Sequence, residues 1–238
     1  MTPADGTAEE DCRPLPATTT PSPPGIQPSR RDFRILLAAR VVRAFGFGFS
    51  AILLGVHLQS RGLSPTEIGL LLAVGLASAS LSGLLSAAAT RRLGRRVTLA
   101  LVGVLMAICG LDIALATQPW LLLLAGLTGM MGAAGTDLGP FLAVEQAVLT
   151  ETTDGAGRNR AFARYSFTGA LAGAAGGFLA SAGTGLARTE ALFLLYALLG
   201  LITAGMPLLL SRAVEGDPQA RVFGTLRPLL GLSALAGI

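Results

Sequence analysis

The sequence predicts an all-α, polytopic membrane protein with six transmembrane helices and the start of a seventh. Three observations carry that prediction. Of the 238 residues, 52% are hydrophobic and 13% charged, about half of the ~25% charge of a soluble domain. Beyond residue 32 the apolar positions fall into stretches of ~20 residues, each long enough as a helix to cross ~30 Å of hydrocarbon. The 18 basic residues are all Arg, and most of them sit in short clusters between those stretches, where loops leave a bilayer.

Residues 1–32 hold seven of the 13 prolines and an acidic group at Asp5, Glu9, Glu10 and Asp11. Such a segment lacks the apolar residues to build a core and reads as a disordered cytoplasmic tail. It has no basic start followed by an apolar run, so it is not a secretory signal peptide. The six spans are expected over residues 33–58, 65–90, 97–116, 120–149, 161–183 and 189–210, within a bundle of residues 33–211. Residues 212–238 form a cytoplasmic loop with Glu215, Asp217 and Pro218, then turn apolar again at Leu226. The last 13 residues reach only ~20 Å as a helix, which reads as a seventh span interrupted in its middle.

Local signals place the edges. Ser64-Pro65-Thr66-Glu67 is a capping box with Pro at the first helical position, and it starts the second span. Gln118-Pro119 separates the third and fourth by a turn so short that they must be antiparallel neighbours. Small residues at three- and four-residue spacing, Ser82-Gly83-Ser86-Ala87 and Gly169-Gly173-Gly176-Gly177, suit close helix packing in lipid.

Orientation follows from the arginines. With the N-terminus inside, thirteen fall on the inner side, from Arg30, Arg31 and Arg34 through Arg91, Arg92, Arg95 and Arg96 to Arg227; Arg61 and Arg188 fall outside. That asymmetry assigns a cytoplasmic N-terminus.

Composition also excludes chemistries. Without Lys there is no phosphate-loop lysine and no Schiff-base amine, so Gly155-Ala156-Gly157 is not a nucleotide loop. One histidine, His57, and two distant cysteines, Cys12 and Cys109, cannot form a zinc site or a disulfide framework. The net charge of +4 comes from clusters with few aromatics beside them, which argues for membrane topology and against nucleic acid. An intramembrane protease would need a nucleophile and base together, or two close acids; His57 is at the outer end of the first span, and Asp112 and Asp137 lie at opposite depths. No enzymatic activity, cofactor or metal is expected. His57 and Asp112 read as hydrated interface residues, Trp120 as an interfacial anchor, and Cys109 as a packing residue.

Four charges fall inside the membrane. Arg40 and Arg43 share a face of the first span, ~10 and ~15 Å in from Phe33. A lone charge at such depth costs at least ~2.5 to 3.5 kcal/mol on insertion scales, so both need partners or water. In the fourth span, Asp137 matches Arg43 in depth and Glu145 matches Arg40. Two readings stand: static pairs tie the two helices together, or, on the resemblance given next, Asp137 binds substrate or a proton and lets go of Arg43 as a central cavity turns.

The loop Ala87-Ala88-Ala89-Thr90-Arg91-Arg92-Leu93-Gly94-Arg95-Arg96 resembles the signature loop between helices two and three of the major facilitator superfamily. Arg92, Gly94, Arg95 and Arg96 match as they stand, Ala87 occupies the usual glycine, and Arg91 stands where the family has an aspartate. Asp137-Leu138-Gly139-Pro140-Phe141, Glu145 to Leu149 and Arg158 to Tyr165 resemble the fourth-helix region of a group of bacterial facilitators. Residues 169–177 are similar to the Gly-rich fifth helix of drug/proton antiporters, with Gly173 in place of a proline.

The resemblance implies the N-terminal six-helix half of a transporter; its other half is expected beyond this chain, the alternative being that the six helices pair with a second copy or another protein. It further implies secondary transport of a small solute by alternating access, with or without coupled protons. The implied cavity is lined by Arg40, Arg43, Asp137 and Glu145, and gated by the loop containing Ala87, Arg91, Arg92, Gly94, Arg95 and Arg96. The expected partners are the bilayer, a solute and the missing half. The absence of Lys and the single Asn159 point to a GC-rich bacterial genome and hence a cytoplasmic (inner) membrane. A non-transporting half or membrane scaffold is the alternative; it would have no reason to place those four charges in lipid.

Overall fold

The structure is a computed structural model that describes residues 30–116, 118–132, 140–152, 155–181 and 186–215. Among these residues it is all helical, with no strand: α1 (Arg30–Ser60), α2 (Pro65–Leu93), α3 (Arg95–Leu115), α4 (Pro119–Leu127), α5 (Pro140–Thr152), α6 (Gly155–Ser181) and α7 (Leu186–Gly205), followed by two short 3₁₀ turns, Met206–Leu209 and Arg212–Glu215. Four segments are long and apolar enough to cross a membrane: Arg31–Ser60, Pro65–Leu93, Arg95–Leu115 and Arg188–Leu209.

The bundle is organised by two close helix pairs, α1 with α6 and α3 with α7, while α4 and α5 both pack on α2. Glycine makes the close approaches possible. A Cβ on Gly176 of α6 would collide with the Phe45 carbonyl of α1; one on Gly103 of α3 would lie 2.6 Å from the Ala204 Cα of α7, and one on Gly200 of α7 2.5 Å from the Ala107 amide nitrogen. In lipid, where hydrophobic burial does not drive helices together, such backbone proximity supplies the packing.

The Ser64–Glu67 capping box forms as the sequence predicts, with the Ser64 amide donating to Glu67 Oε2 at 2.7 Å and the Glu67 amide to Ser64 Oγ at 3.4 Å. The expected fourth span over 120–149 is not one continuous helix. Helix α4 ends at Leu127, residues Thr128–Gly132 leave the helix, and the next described helix, α5, begins at Pro140. Gly129 and Gly132 hold φ +69° and +68°, the left-handed region that only glycine enters without strain. Non-helical backbone at membrane depth survives only when protein satisfies it. Here the Tyr196 hydroxyl of α7 donates to the Met130 carbonyl, and Ser50 Oγ of α1 donates to the Met131 carbonyl at 2.8 Å.

Two boundaries move. α1 begins at Arg30, inside the expected tail, because Asp32 is buried and bound by Ser211. The last helix gives way to a 3₁₀ turn at Met206, next to Pro207. The rest of the tail and the expected start of a seventh span lie outside the described residues.

Candidate functional site

The charged cluster is built where α1, α5 and α6 meet. Arg43 of α1 donates to Glu145 Oε2 of α5 at 2.6 Å, with both side chains 1% exposed. One turn earlier on α5, the Phe141 ring sits 4.0 Å beneath the Arg43 guanidinium, a cation–π contact strengthened by desolvation. From α6, the Tyr165 hydroxyl donates to the same Glu145 Oε2 at 2.5 Å. Arg40 lies over the Tyr165 ring at 5.0 Å. Room for it comes from Gly169, whose Cβ, if present, would stand 2.7 Å from Arg40 Nε.

The depth matching of the sequence is therefore corrected in one respect: Glu145 pairs with Arg43, while Arg40 stacks on Tyr165. Depth along a helix does not report azimuth, and the i, i+4 spacing of Phe141 and Glu145 presents both to one guanidinium. Asp137 lies outside the described residues. Tyr165 is the residue the sequence reading missed as a site residue; its signal was a phenol one turn before Gly169, where the Gly-rich apolar part of the helix begins.

A second cluster lies at the arginine-rich end. Arg91 and Arg92 are exposed in the last turn of α2, and exposed Ala87 sits one turn earlier. Gly94 makes the whole connection to α3 at φ +87°. As the N-cap of α3, Gly94 has no side chain to offer, and Glu215 supplies the acceptor. Its Oε2 takes the Arg95 amide at 2.8 Å and its Oε1 the Arg96 amide at 3.3 Å. Arg95 Nη1 reaches the Val214 carbonyl at 3.2 Å, and Arg96 Nε the Pro207 carbonyl at 3.3 Å. Asp32 Oδ1 accepts the Ser211 amide at 2.9 Å, and Oδ2 the Ser211 hydroxyl at 2.7 Å. Residues 211–215 thus strap the start of α1 to the start of α3.

At the opposite end, His57 is fully buried, not hydrated as the sequence suggested. Its Nε2 donates to the Ile113 carbonyl at 2.9 Å and its ring lies 5.0 Å from that of Phe193. Arg61 caps the end of α3 by donating to the Ala116 and Ala114 carbonyls at 2.8 and 3.0 Å, and pairs with Glu190 of α7 at 2.8 Å. Among the described residues no group of His, Cys, Asp and Glu could hold a metal ion.

Long apolar helices, glycine-mediated packing and a buried cation–carboxylate–phenol cluster define a polytopic helical membrane protein that holds Arg43 and Glu145 inside its bundle. The chain belongs to the Major Facilitator Superfamily, which it matches over residues 36–236. That family is one of membrane transport proteins. The chain is also similar to an uncharacterized membrane protein of Saccharomyces cerevisiae, YJR124C, with 26% identity over 198 residues covering 79% of this chain and 44% of the relative. The chain thus spans less than half the length of the relative it matches.

Proposed function

We propose that this chain forms the N-terminal six-span half of a secondary transporter that carries a small solute by alternating access. The observation that supports this reading is the Arg43–Glu145 pair, 1% exposed and shared with Tyr165. Such a cluster is costly at membrane depth, and charges retained there typically face a substrate or ion pathway. In the proposed cycle Glu145 holds Arg43 and Tyr165 in one state; a proton or an anionic group of the solute, competing at this site, frees Arg43 in the other. Arg40 provides a second positive group beside it, and Asp137 is the proposed further partner of Arg43.

The six crossings would be α1, α2, α3, the broken α4–α5 pair, α6, and α7 with its 3₁₀ extension. Phe167, Leu171 and Phe178 of α6 are 62% to 81% exposed, which suits a lipid-facing stripe. The weakly covered apolar residues of α2, among them Leu70 and Leu84, would face lipid or the second six-helix half. The proposed location is a bacterial cytoplasmic membrane with the arginine-rich end inside.

The test is solute transport by the full-length protein across a panel of radiolabelled solutes, comparing wild type with Glu145→Gln and Asp137→Asn at matched membrane expression. Loss of transport by at least about ten-fold is expected, the scale of one buried charged interaction. Full activity in both variants would leave the cluster as a fixed pair that only ties α1 to α5.

A further inference from the structure

The outer ends of α3 and α4 enclose a groove that the charged cluster does not use. It is a cavity of about 530 Å³ lined by Ile108, Leu111, Asp112, Leu115, Leu121 and Leu124, with Thr128 at its far end. Its size is that of a small-molecule site, and its lining is apolar apart from Asp112 and Thr128, whose hydroxyl donates to the Ala125 carbonyl. That carboxylate is half-buried, and its polar company is the backbone amide of Ala125; among the described residues no Arg or His pairs with it.

Depth identifies the position. Asp112 lies three residues from the end of α3, ~4.5 Å along the axis. At the same end of the bundle Trp120, 62% exposed, begins α4 in the manner of a residue at the headgroup level. From Asp112 the groove descends to Thr128, nine residues into the membrane from Pro119, ~13 Å at helical rise. A negative group at the mouth and hydrocarbon walls below complement an amphiphile with a cationic head and an acyl chain.

We propose that this groove is a specific site for a phospholipid with a primary ammonium headgroup, a phosphatidylethanolamine, whose ammonium donates to Asp112 while one acyl chain fills the groove between α3 and α4. A primary ammonium brings three N–H donors to a carboxylate; a choline headgroup brings charge without donors, and a phosphatidylglycerol headgroup brings a net negative charge that Asp112 repels. The site stands apart from the Arg43–Glu145 cluster and does not depend on the transport reading.

The experiment is native mass spectrometry of the full-length protein in detergent, with phosphatidylethanolamine, phosphatidylcholine and phosphatidylglycerol of identical acyl chains. Wild type should retain phosphatidylethanolamine about five-fold or more over the other two, and Asp112→Asn should reduce that ratio to about one. Leu124→Trp, at an exposed position, should fill the groove and lower phosphatidylethanolamine retention with Asp112 intact, so it carries the test if Asp112→Asn fails to fold. Equal retention of the three lipids by wild type, a preference that survives Asp112→Asn, or unchanged retention in Leu124→Trp would each overturn the proposal. So would Asp112-dependent capture of tetraphenylphosphonium without any phosphatidylethanolamine preference, which would reassign the groove to a hydrophobic cation.

Discussion

Glu215 lies 120 residues beyond Arg95 in the chain, yet its Oε2 accepts the Arg95 backbone amide at 2.8 Å. The start of α3 needs this acceptor because its N-cap is Gly94, and helix N-termini leave their first amides without partners. A carboxylate there also meets the positive end of the helix dipole.

Replacing Glu215 with Ala should lower stability by about 1 to 2 kcal/mol, the range for losing a helix N-cap with a favourable dipole contact. Glu215→Gln, which keeps one acceptor oxygen, should lose less. Thermal unfolding of the purified full-length protein checks both, and equal stability of Glu215→Ala and wild type would show that the strap does not hold α3.

The Arg43–Glu145 pair separates stability from function. Glu145→Ala strands a buried guanidinium and should cost about 3 to 5 kcal/mol, whereas the double change Arg43→Met with Glu145→Leu removes both charges and should recover most of that loss. On the proposed function the double variant stays inactive although it folds. Thermal unfolding and solute uptake measured on the same preparations decide the matter: a stable double variant with normal uptake would reduce the pair to a tie between helices.

Two glycines of α6 should behave differently despite their common spacing. Gly176→Ala drives a methyl group into the Phe45 carbonyl, whereas a Cβ on Gly173 finds its nearest neighbour, the Ala44 carbonyl oxygen, at 3.6 Å. The first should destabilise by about 1 to 3 kcal/mol, as overpacking does, and the second should be tolerated. Detergent-solution melting temperatures of the two variants compare them directly.

Much of the architecture was legible because membrane insertion acts on local composition. The first three apolar helices, the capping box at Ser64 and Glu67, and the turn at Gly94 are each specified by a few neighbouring residues. The break after Leu127 was not legible: residues 120–149 are apolar almost throughout, and what permits Thr128–Gly132 to leave the helix is Tyr196 and Ser50 reaching the freed carbonyls from α7 and α1. A helical-period reading has no access to such distant partners.

The same division runs through the candidate site. The sequence by itself determined that Arg40, Arg43 and Glu145 are charges in an apolar setting that require partners, because the cost of burying a charge depends on residue type and depth. Only the tertiary structure decided which partners they take. Helix azimuth and glycine-mediated approach put Arg43 on Glu145, Arg40 over Tyr165, and His57 against the Ile113 carbonyl. Those pairings follow from how α1, α3, α5 and α6 rotate against one another, a property of the packed bundle that no stretch of chain contains alone.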